Sequence, residues 1–569
     1  MQHPIGEHAL LADSRTAALI DPDGNVAWLC WPWVDSTPLL FSILDEQRGG
    51  GFALRPAQRG ARVLSRRYHA RSLVLETVWA VEGARLIVED ALDLGDHPLL
   101  VRSVRAEGGD VDVVVEFRAP QWDGREAQVT FAGETLAVTS EARVVLRLIR
   151  EGASWGAVAG GAVADVSVTP DEPLTVTLGA PATDPRSGSV RSTLGAWQGL
   201  VPETLGADNA SVRDQLGTTA AVLLGLRNTR GGIVAAPTTS LPQWPGSSRT
   251  WDYRYSWLRD SSLAGMALLR LGLVDAAMDL GAFIGVAVTE QGPVPLLRVD
   301  GSAPPAESER HELTGYRGAS PVRIGNAAAG QAQLDVPGEV IELASALAAH
   351  QALPDRLATA VPILATWLAE HWREPDNGIW EIRGQPRRYT HSLITAMSGL
   401  AGAAALADSG VVAGDAQRWR AAESAVAAAL SGEGALELRL DGGGADAALA
   451  QLSLLGGLEP LEPRVAATLE LIVARLDRGG LIDRYEGQPD TVDDPCAPFV
   501  FPTFWLSAAM RSRGADGSRW FEAALAARGP LGLFGEVADP RDHTPLGNYP
   551  QVQSHAAFAM AVMADRERR

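Results

Sequence analysis

From Ala18 to about Leu178 the chain alternates apolar and polar residues in short runs bounded by turn residues, the period-two pattern of half-buried strands. The runs are Ala18–Ile20, Asn25–Cys30, Ser72–Ala80, Arg85–Asp90, Asp110–Arg118, Gln128–Thr139, Ala142–Ile149 and Leu174–Leu178. Between the first two lies Asp21-Pro22-Asp23-Gly24, where proline presets φ and glycine accepts positive φ, so a tight turn is expected. An antiparallel β-sandwich is the economical way to bury one face of each run. Gly152-Ala153-Ser154-Trp155-Gly156 matches the string of a nucleophile elbow, but it joins two strand-like runs with no helix after it and reads as a turn.

Residues 179–209 turn to Pro, Asp, Gly and Ser, with one helix-like stretch around Thr193–Leu200. Beyond them the spacing becomes helical and the segments rich in alanine and leucine, near 210–226, 257–271, 274–288, 327–350, 354–372, 390–407, 415–430, 445–455, 462–476, 502–513, 517–527 and 551–564. Twelve helices without strand alternation between them fit six consecutive hairpins closing into an (α/α)6 toroid, although an irregular bundle has the same count. The expected organisation is an N-terminal antiparallel β-sandwich at 1–185, a linker at 186–209 and an (α/α)6 barrel at 210–569.

Composition narrows the chemistry. The 569 residues are 46% hydrophobic and 21% charged, ordinary for a globular protein. The formal charge of −20 argues against a nucleic-acid backbone or an anionic membrane as partner, and no apolar run approaches the roughly 18 residues of a membrane span. All 49 basic residues are arginine, which removes lysine Schiff bases, Walker lysines and lysine general bases. Cys30 and Cys496 are the only cysteines, and the histidines show no ligand spacing, so neither a disulfide framework nor a metal centre is expected. With no basic, apolar start before Leu11, a cytoplasmic protein acting on a small neutral molecule without a cofactor is the expectation, its oligomeric state open.

Acids, arginines and tryptophans meet in three connections between helices: Thr250-Trp251-Asp252-Tyr253-Arg254-Tyr255-Ser256-Trp257-Leu258-Arg259-Asp260, Asp376-Asn377-Gly378-Ile379-Trp380-Glu381-Ile382-Arg383-Gly384, and Leu533-Phe534-Gly535-Glu536-Val537-Ala538-Asp539-Pro540. Such a mixture is awkward as plain core because every buried charge needs a partner. Sugars call for it, since indole faces stack on a pyranose while carboxylate and guanidinium groups bond its hydroxyls. The plain alternative is an Arg259–Asp260 ion pair at a helix start, tryptophans as large core residues, and glutamates on solvated loop ends.

At these segments the sequence resembles glycoside hydrolase family 15, which contains glucoamylases and bacterial glucoamylase-like trehalases. The likeness extends from Gly6-Glu7-His8-Ala9-Leu10-Leu11-Ala12-Asp13 and Asn25-Val26-Ala27-Trp28-Leu29-Cys30-Trp31-Pro32 through Ala235-Ala236-Pro237-Thr238-Thr239-Ser240-Leu241-Pro242 and Pro321-Val322-Arg323-Ile324-Gly325-Asn326 to Leu546-Gly547-Asn548-Tyr549-Pro550-Gln551. It implies a sandwich joined to an (α/α)6 barrel and an inverting, exo-acting α-glucoside hydrolase that releases β-glucose, with trehalase activity, phosphorolysis or silent glycan binding as alternatives. It further implies Glu381 as general acid and Glu536 as general base, with Trp257, Arg259, Asp260 and Trp380 around a terminal glucose, Tyr253 beside the cationic transition state, and Arg484 and Tyr485 as a further pocket pair. On that assignment Glu381 stays protonated through burial against Trp380 or a nearby carboxylate, Glu536 stays ionised, and about 6.5–9.5 Å between them leaves room for water.

The chain departs from the resemblance at Thr390-His391-Ser392-Leu393 followed by Ile394-Thr395-Ala396-Met397, where members commonly carry a lysine and then a Cys-Trp pair. It departs again at Leu297-Arg298, where a Tyr-Gly is usual, at Cys496-Ala497-Pro498 in place of Glu-Gly-Thr, and at Glu536-Val537 in place of Glu-Glu. Because the glucose-pocket residues persist, the expected difference lies in the leaving group.

Overall fold

In the computed structural model, which describes residues 2–207, 209–452, 454, 462–487, 492 and 494–564, the N-terminal alternation resolves into two eight-stranded antiparallel sheets. In spatial order the first runs Ala9–Ala12, Ala17–Ile20, Asn25–Cys30, Gly51–Pro56, Val111–Arg118, Gly161–Val168 and Gly156–Val158, with Pro38–Leu40 beside Asn25–Cys30. The second runs Gln128–Ala132, Thr135–Thr139, Arg143–Ile149, Leu174–Gly179, Leu99–Glu107, Ala84–Leu92, Leu75–Val81 and Arg62–Tyr68. Leu11, Ile20, Phe52 and Phe117 of one sheet and Leu86, Leu100, Leu146 and Val176 of the other share one apolar core, making a β-sandwich.

One charge pair interrupts that core. Arg102 and Asp90 face each other in register on neighbouring strands, 2.7 Å apart, and the guanidinium also donates to Phe52 O and Gly24 O. Gly24 closes the expected turn at φ +78°, and a Cβ there would stand 2.5 Å from Leu54 O, so glycine is required. Two of the strands absent from the sequence reading lack alternation: Ala9–Ala12 is apolar and buried throughout, whereas Arg62–Tyr68 is a polar edge strand with no buried position.

Within 186–209 lies helix α1 (Val190–Leu200), opened by a Ser189–Ser192 capping box, and α2 (Ala210–Leu226) follows. Two compact units emerge: Met1–Thr229 with Arg310–Val322 and Gly529–Leu533, and Arg230–Glu309 with Arg323–Arg528 and Phe534–Arg569.

The second unit carries α3 (Leu258–Arg270), α4 (Val274–Gln291), α5 (Asp335–Ala349), α6 (Asp355–His371), α7 (Thr390–Asp408), α8 (Ala416–Leu430), α9 (Pro463–Leu476), α10 (Val500–Ser512), α11 (Ser518–Ala526) and α12 (Val552–Ala564). Helix α3 packs on α5, α5 on α7, α10 on α12 and α12 back on α3, while the 3₁₀ turn Ala447–Gln451 fills the place between α7 and α10. Helices α4, α6, α8, α9 and α11 lie outside this closed inner ring, the arrangement of an (α/α)6 toroid. Burial follows position: α12 is buried on nearly every side, but outer α8 buries only Trp419, Val426 and Leu430. The helix expected at 445–455 is represented by that 3₁₀ turn, and positions 453 and 455 lie outside the described residues.

Helix α7 corrects the expectation that no apolar run reaches membrane length, for its 19 residues include an 18-residue window of mean hydropathy 1.2. An inner helix of a toroid is enclosed by neighbours, and 78% of that window is buried inside the protein. Its closest approach is to α5. A Cβ on Gly338 would lie 2.2 Å from Thr395 O, and one on Gly399 would lie 2.7 Å from Gly338 Cα. Gly338→Ala should therefore destabilise the protein by about 1–3 kcal/mol through overpacking, read as a lowered urea midpoint, while Gly195→Ala on α1, with open space around it, should not.

Candidate active site

Each functional side chain sits on a segment that leads into an inner helix, so closing the ring brings together residues remote in sequence. Trp257 and Arg259 open α3, Gln331 and Gln333 precede α5, Trp380 and Glu381 precede α7, Arg484 precedes α10 and Glu536 precedes α12. All of these except Gln333 line one pocket, which also includes Gln243, Arg249, Trp251, Tyr253, Asp260 and Phe501.

Glu381 is held through one oxygen. Its Oε1 accepts from Trp257 Nε1 at 2.5 Å, Arg259 Nη2 at 3.0 Å and Gln333 Nε2 at 3.3 Å, while no described residue donates to Oε2. The backbone at Glu381 adopts φ +54°, rare for a residue with a side chain. A turn over-determines it: Glu381 N donates to Gly378 O, Asn377 Nδ2 to Ile382 O, and Gln331 Nε2 to Glu381 O at 3.1 Å. Gly378 at φ +63° would press a Cβ against Tyr389 at 2.8 Å, so the Asn-Gly dipeptide of the motif sets the aim of the carboxyl.

Arg259 is 5% exposed and joins the acids below the pocket. It meets Asp335 at 3.2 Å, Asp260 at 3.6 Å and Glu381 at 3.0 Å. Burial works against its charge, but Asp335, Asp260, Glu381 and Glu339 outweigh burial and hold the guanidinium protonated. One cation cannot neutralise them all: burial lifts Asp260 to about 6 despite Arg259, and burial together with Asp335 lifts Glu339 well above the carboxylate range.

Glu536 is held through both oxygens, with Tyr253 OH donating to Oε1 at 2.6 Å and Gln243 Nε2 to Oε2 at 2.8 Å. Its backbone carbonyl accepts from Val500 N at the start of α10, and Ser554 of α12 bonds the preceding Gly535 O. Gly547, at φ +75°, lets the Leu546–Asn548 strand pass behind the carboxyl, where a Cβ would meet Glu536 Cβ at 3.2 Å. Burial pushes Glu536 up to about 7, against the Tyr253 and Gln243 hydrogen bonds and Arg484 that pull it down. Beside Glu381, Trp380 turns its indole N–H to buried Asp446 at 2.7 Å.

Of the nine residues expected from sequence, Tyr253, Trp257, Arg259, Asp260, Trp380, Glu381, Arg484 and Glu536 line the one pocket. Tyr485 does not; it meets Trp380 edge-on at 6.3 Å while Arg484 lies over its ring. The Asp252–Arg254 pair of the same motif is buried and mutually neutralised at 2.7 Å, an internal brace. Sequence reasoning missed Gln243, Gln331, Gln333, Phe499 and Phe501. The available signal was polar residues and aromatics immediately before an apolar helix, as in Gln331-Ala332-Gln333 ahead of α5. None of Leu393, Leu297, Arg298, Cys496, Ala497 or Pro498 lines this pocket.

Residues 216–562 match the family described as Glycosyl hydrolases family 15, and residues 1–186 match the description Trehalase-like, N-terminal. A trehalase of Mycolicibacterium smegmatis is 33% identical, the alignment covering 98% of this chain and 91% of that protein. A trehalase of Mycobacterium tuberculosis is 33% identical over 98% and 89%, and Trehalase 1 of Sulfolobus acidocaldarius 27% identical over 98% of each. The crystal structure of a bacterial glucoamylase complexed with acarbose superposes with a TM-score of 0.75 over 100% of this chain and 95% of that one, at 14% identity, a likeness of fold.

Burial raises Asp446, Asp376 and Glu536 to about 7 and Asp260 to about 6. Between about pH 4 and 7 the folded chain therefore keeps protons that the unfolded chain has lost, and these groups make stability fall as pH rises through that window. Asp446→Asn keeps an acceptor for Trp380 and removes the titration. By calorimetry, its Tm should decline less between pH 5 and pH 8 than that of the unaltered protein.

Proposed function

The chain belongs to glycosyl hydrolase family 15 and is a glycoside hydrolase, and on that premise we propose that it cuts an α-glucosidic bond with inversion, Glu381 acting as general acid and Glu536 as general base. The observation that carries the reading is the opposite way the two carboxyls are held. Three donors converge on Oε1 of Glu381, which suits the carbonyl oxygen of a protonated acid whose Oε2–H is free to face a leaving oxygen. Donors on both oxygens of Glu536 suit an ionised base.

The chemistry follows in one displacement. Glu381 protonates the glycosidic oxygen as its bond to C1 breaks, and water enters C1 from the opposite face while Glu536 takes its proton. Tyr253 OH, bound to Glu536, lies beside the positive charge that develops at C1, and the Trp257 and Trp380 rings offer apolar faces to the pyranose. Arg259 and Asp260 are placed for the hydroxyls of the terminal glucose. The named relatives favour α,α-trehalose as the substrate, ahead of the glucoamylase-type bonds of maltose and isomaltose.

Proton NMR of fresh reaction mixtures with trehalose, maltose, isomaltose and maltotriose tests this. With trehalose, inversion yields one β-glucose from the attacked ring and one α-glucose from the leaving ring. Glu381→Gln should lower turnover by about 10²–10⁴-fold. Since Glu536 must be ionised, kcat/KM should rise with pH through an acid limb near 7. Only α-glucose from trehalose, or undiminished turnover in the variant, would overturn the assignment.

A further inference from the structure

Glu536 owes its second hydrogen bond to a side chain outside the motifs that reveal the catalytic pair. Gln243 sits on a strap whose main chain is tied on both sides: its N–H donates to Arg249 O at 3.1 Å, and its carbonyl accepts from Ala497 N at 3.1 Å. The side chain is buried and spans from Glu536 to Cys496. Nε2 reaches Glu536 Oε2 at 2.8 Å, and Oε1 lies 3.4 Å from Cys496 Sγ, which has Ala497 O as a second acceptor within reach at 3.4 Å.

An amide has two faces, and their order matters here. With the C=O toward Glu536, two acceptors would meet in a buried space and the carboxyl would have to stay protonated. With the N–H toward Glu536, the amide oxygen is left facing Cys496, which satisfies it only as a thiol. Burial holds Cys496 in that form by pushing it up to about 12. The resulting order, S–H to C=O and N–H to carboxylate, sends every donor toward Glu536. Cys496 also falls where this chain departs from the Glu-Gly-Thr that its resemblance leads one to expect.

We infer that Gln243 is a positioning residue for Glu536, its amide oriented by the Cys496 thiol, and that together with Tyr253 it sets the pH at which the base is ionised; this rests on Glu536 being the general base. Of the charged groups facing Glu536, Arg484 favours the carboxylate and Glu381 opposes it. Neither changes when Gln243 is replaced.

Gln243→Met keeps the length of the side chain and the strap's main-chain bonds and removes both side-chain hydrogen bonds. The acid limb of kcat/KM on the substrate that is turned over should move up by about one pH unit. Cys496→Ser should keep the original limb, and Cys496→Ala should move it in the same direction by less. A uniform loss at every pH with an unmoved limb in Gln243→Met would overturn the inference. A second readout does not require turnover: the carboxyl ¹³C resonance of Glu536, assigned through Glu536→Gln in glutamate-labelled protein, should titrate at higher pH in Gln243→Met. An unchanged midpoint would overturn the inference. Failure to hydrolyse any α-glucoside would overturn the catalytic reading, while the NMR midpoint would still decide whether Gln243 governs the ionisation of Glu536.

Discussion

A single guanidinium organises the floor of the pocket. Arg259 lies out of water among Asp260, Asp335, Glu339 and Glu381, and these acids come from three different stretches of chain: the start of α3, the start of α5 and the turn before α7. A buried ion pair contributes little net stability, yet removing one partner leaves the other uncompensated at a cost of about 3–5 kcal/mol. Arg259 is therefore less a source of stability than a device that holds three segments in one register. Lysine could not substitute, because the separate contacts to Gln333, Asp335 and Glu381 use the fork of nitrogens on a planar group.

The excess of acids over cations at this floor also separates the two carboxyls of the pocket. Glu381 shares the field of Arg259 and is anchored at one oxygen. Glu536 precedes α12 and is gripped by the neutral donors Tyr253 and Gln243, and burial raises it against these and Arg484. Two glutamates of identical intrinsic acidity thus meet different surroundings because they enter the pocket from different inner helices. The toroid makes that separation easy, since each inner helix begins at the same end of the barrel and brings its own preceding loop.

Much of this was legible in the sequence, and the illegible parts have physical causes. The positions of the helices could be read because an inner helix of a toroid is apolar all round and an outer one along a stripe; only at Ala447–Gln451 does a tight 3₁₀ turn replace the expected helix. Alternation was absent from wholly buried Ala9–Ala12 and polar Arg62–Tyr68, while Gly161–Val168 was missed although it alternates. Eight of the nine expected site residues line one pocket because acids and indoles gathered in loops are hard to bury for any other reason. Gln243 and Gln333 stayed hidden, since glutamine is an ordinary loop residue until a carboxylate is seen within reach of its amide. Sequence shows that Trp380 neighbours Glu381 but not that the indole N–H turns away to Asp446.

The departures from the family pattern need a different interpretation once burial is known. Leu393 is buried on inner helix α7, and Leu297 is buried in a short pairing with Ser256, so both act in packing. Neither lines the pocket. The pocket wall instead presents Arg249, Trp251 and Arg383, with Trp251 beneath the guanidinium groups of Arg383 at 4.1 Å and Arg323 at 4.6 Å. Arg383 is further pinned by a two-toothed bond to Glu307 at 2.6 and 2.7 Å. An indole clamped in this way loses little freedom when a sugar ring approaches its exposed edge, and pre-ordered contacts of that kind discriminate between ligands better than mobile ones. The Trp251–Arg383–Glu307 brace thus gives the pocket a pre-ordered wall, whereas Leu393 and Leu297 are spent on packing.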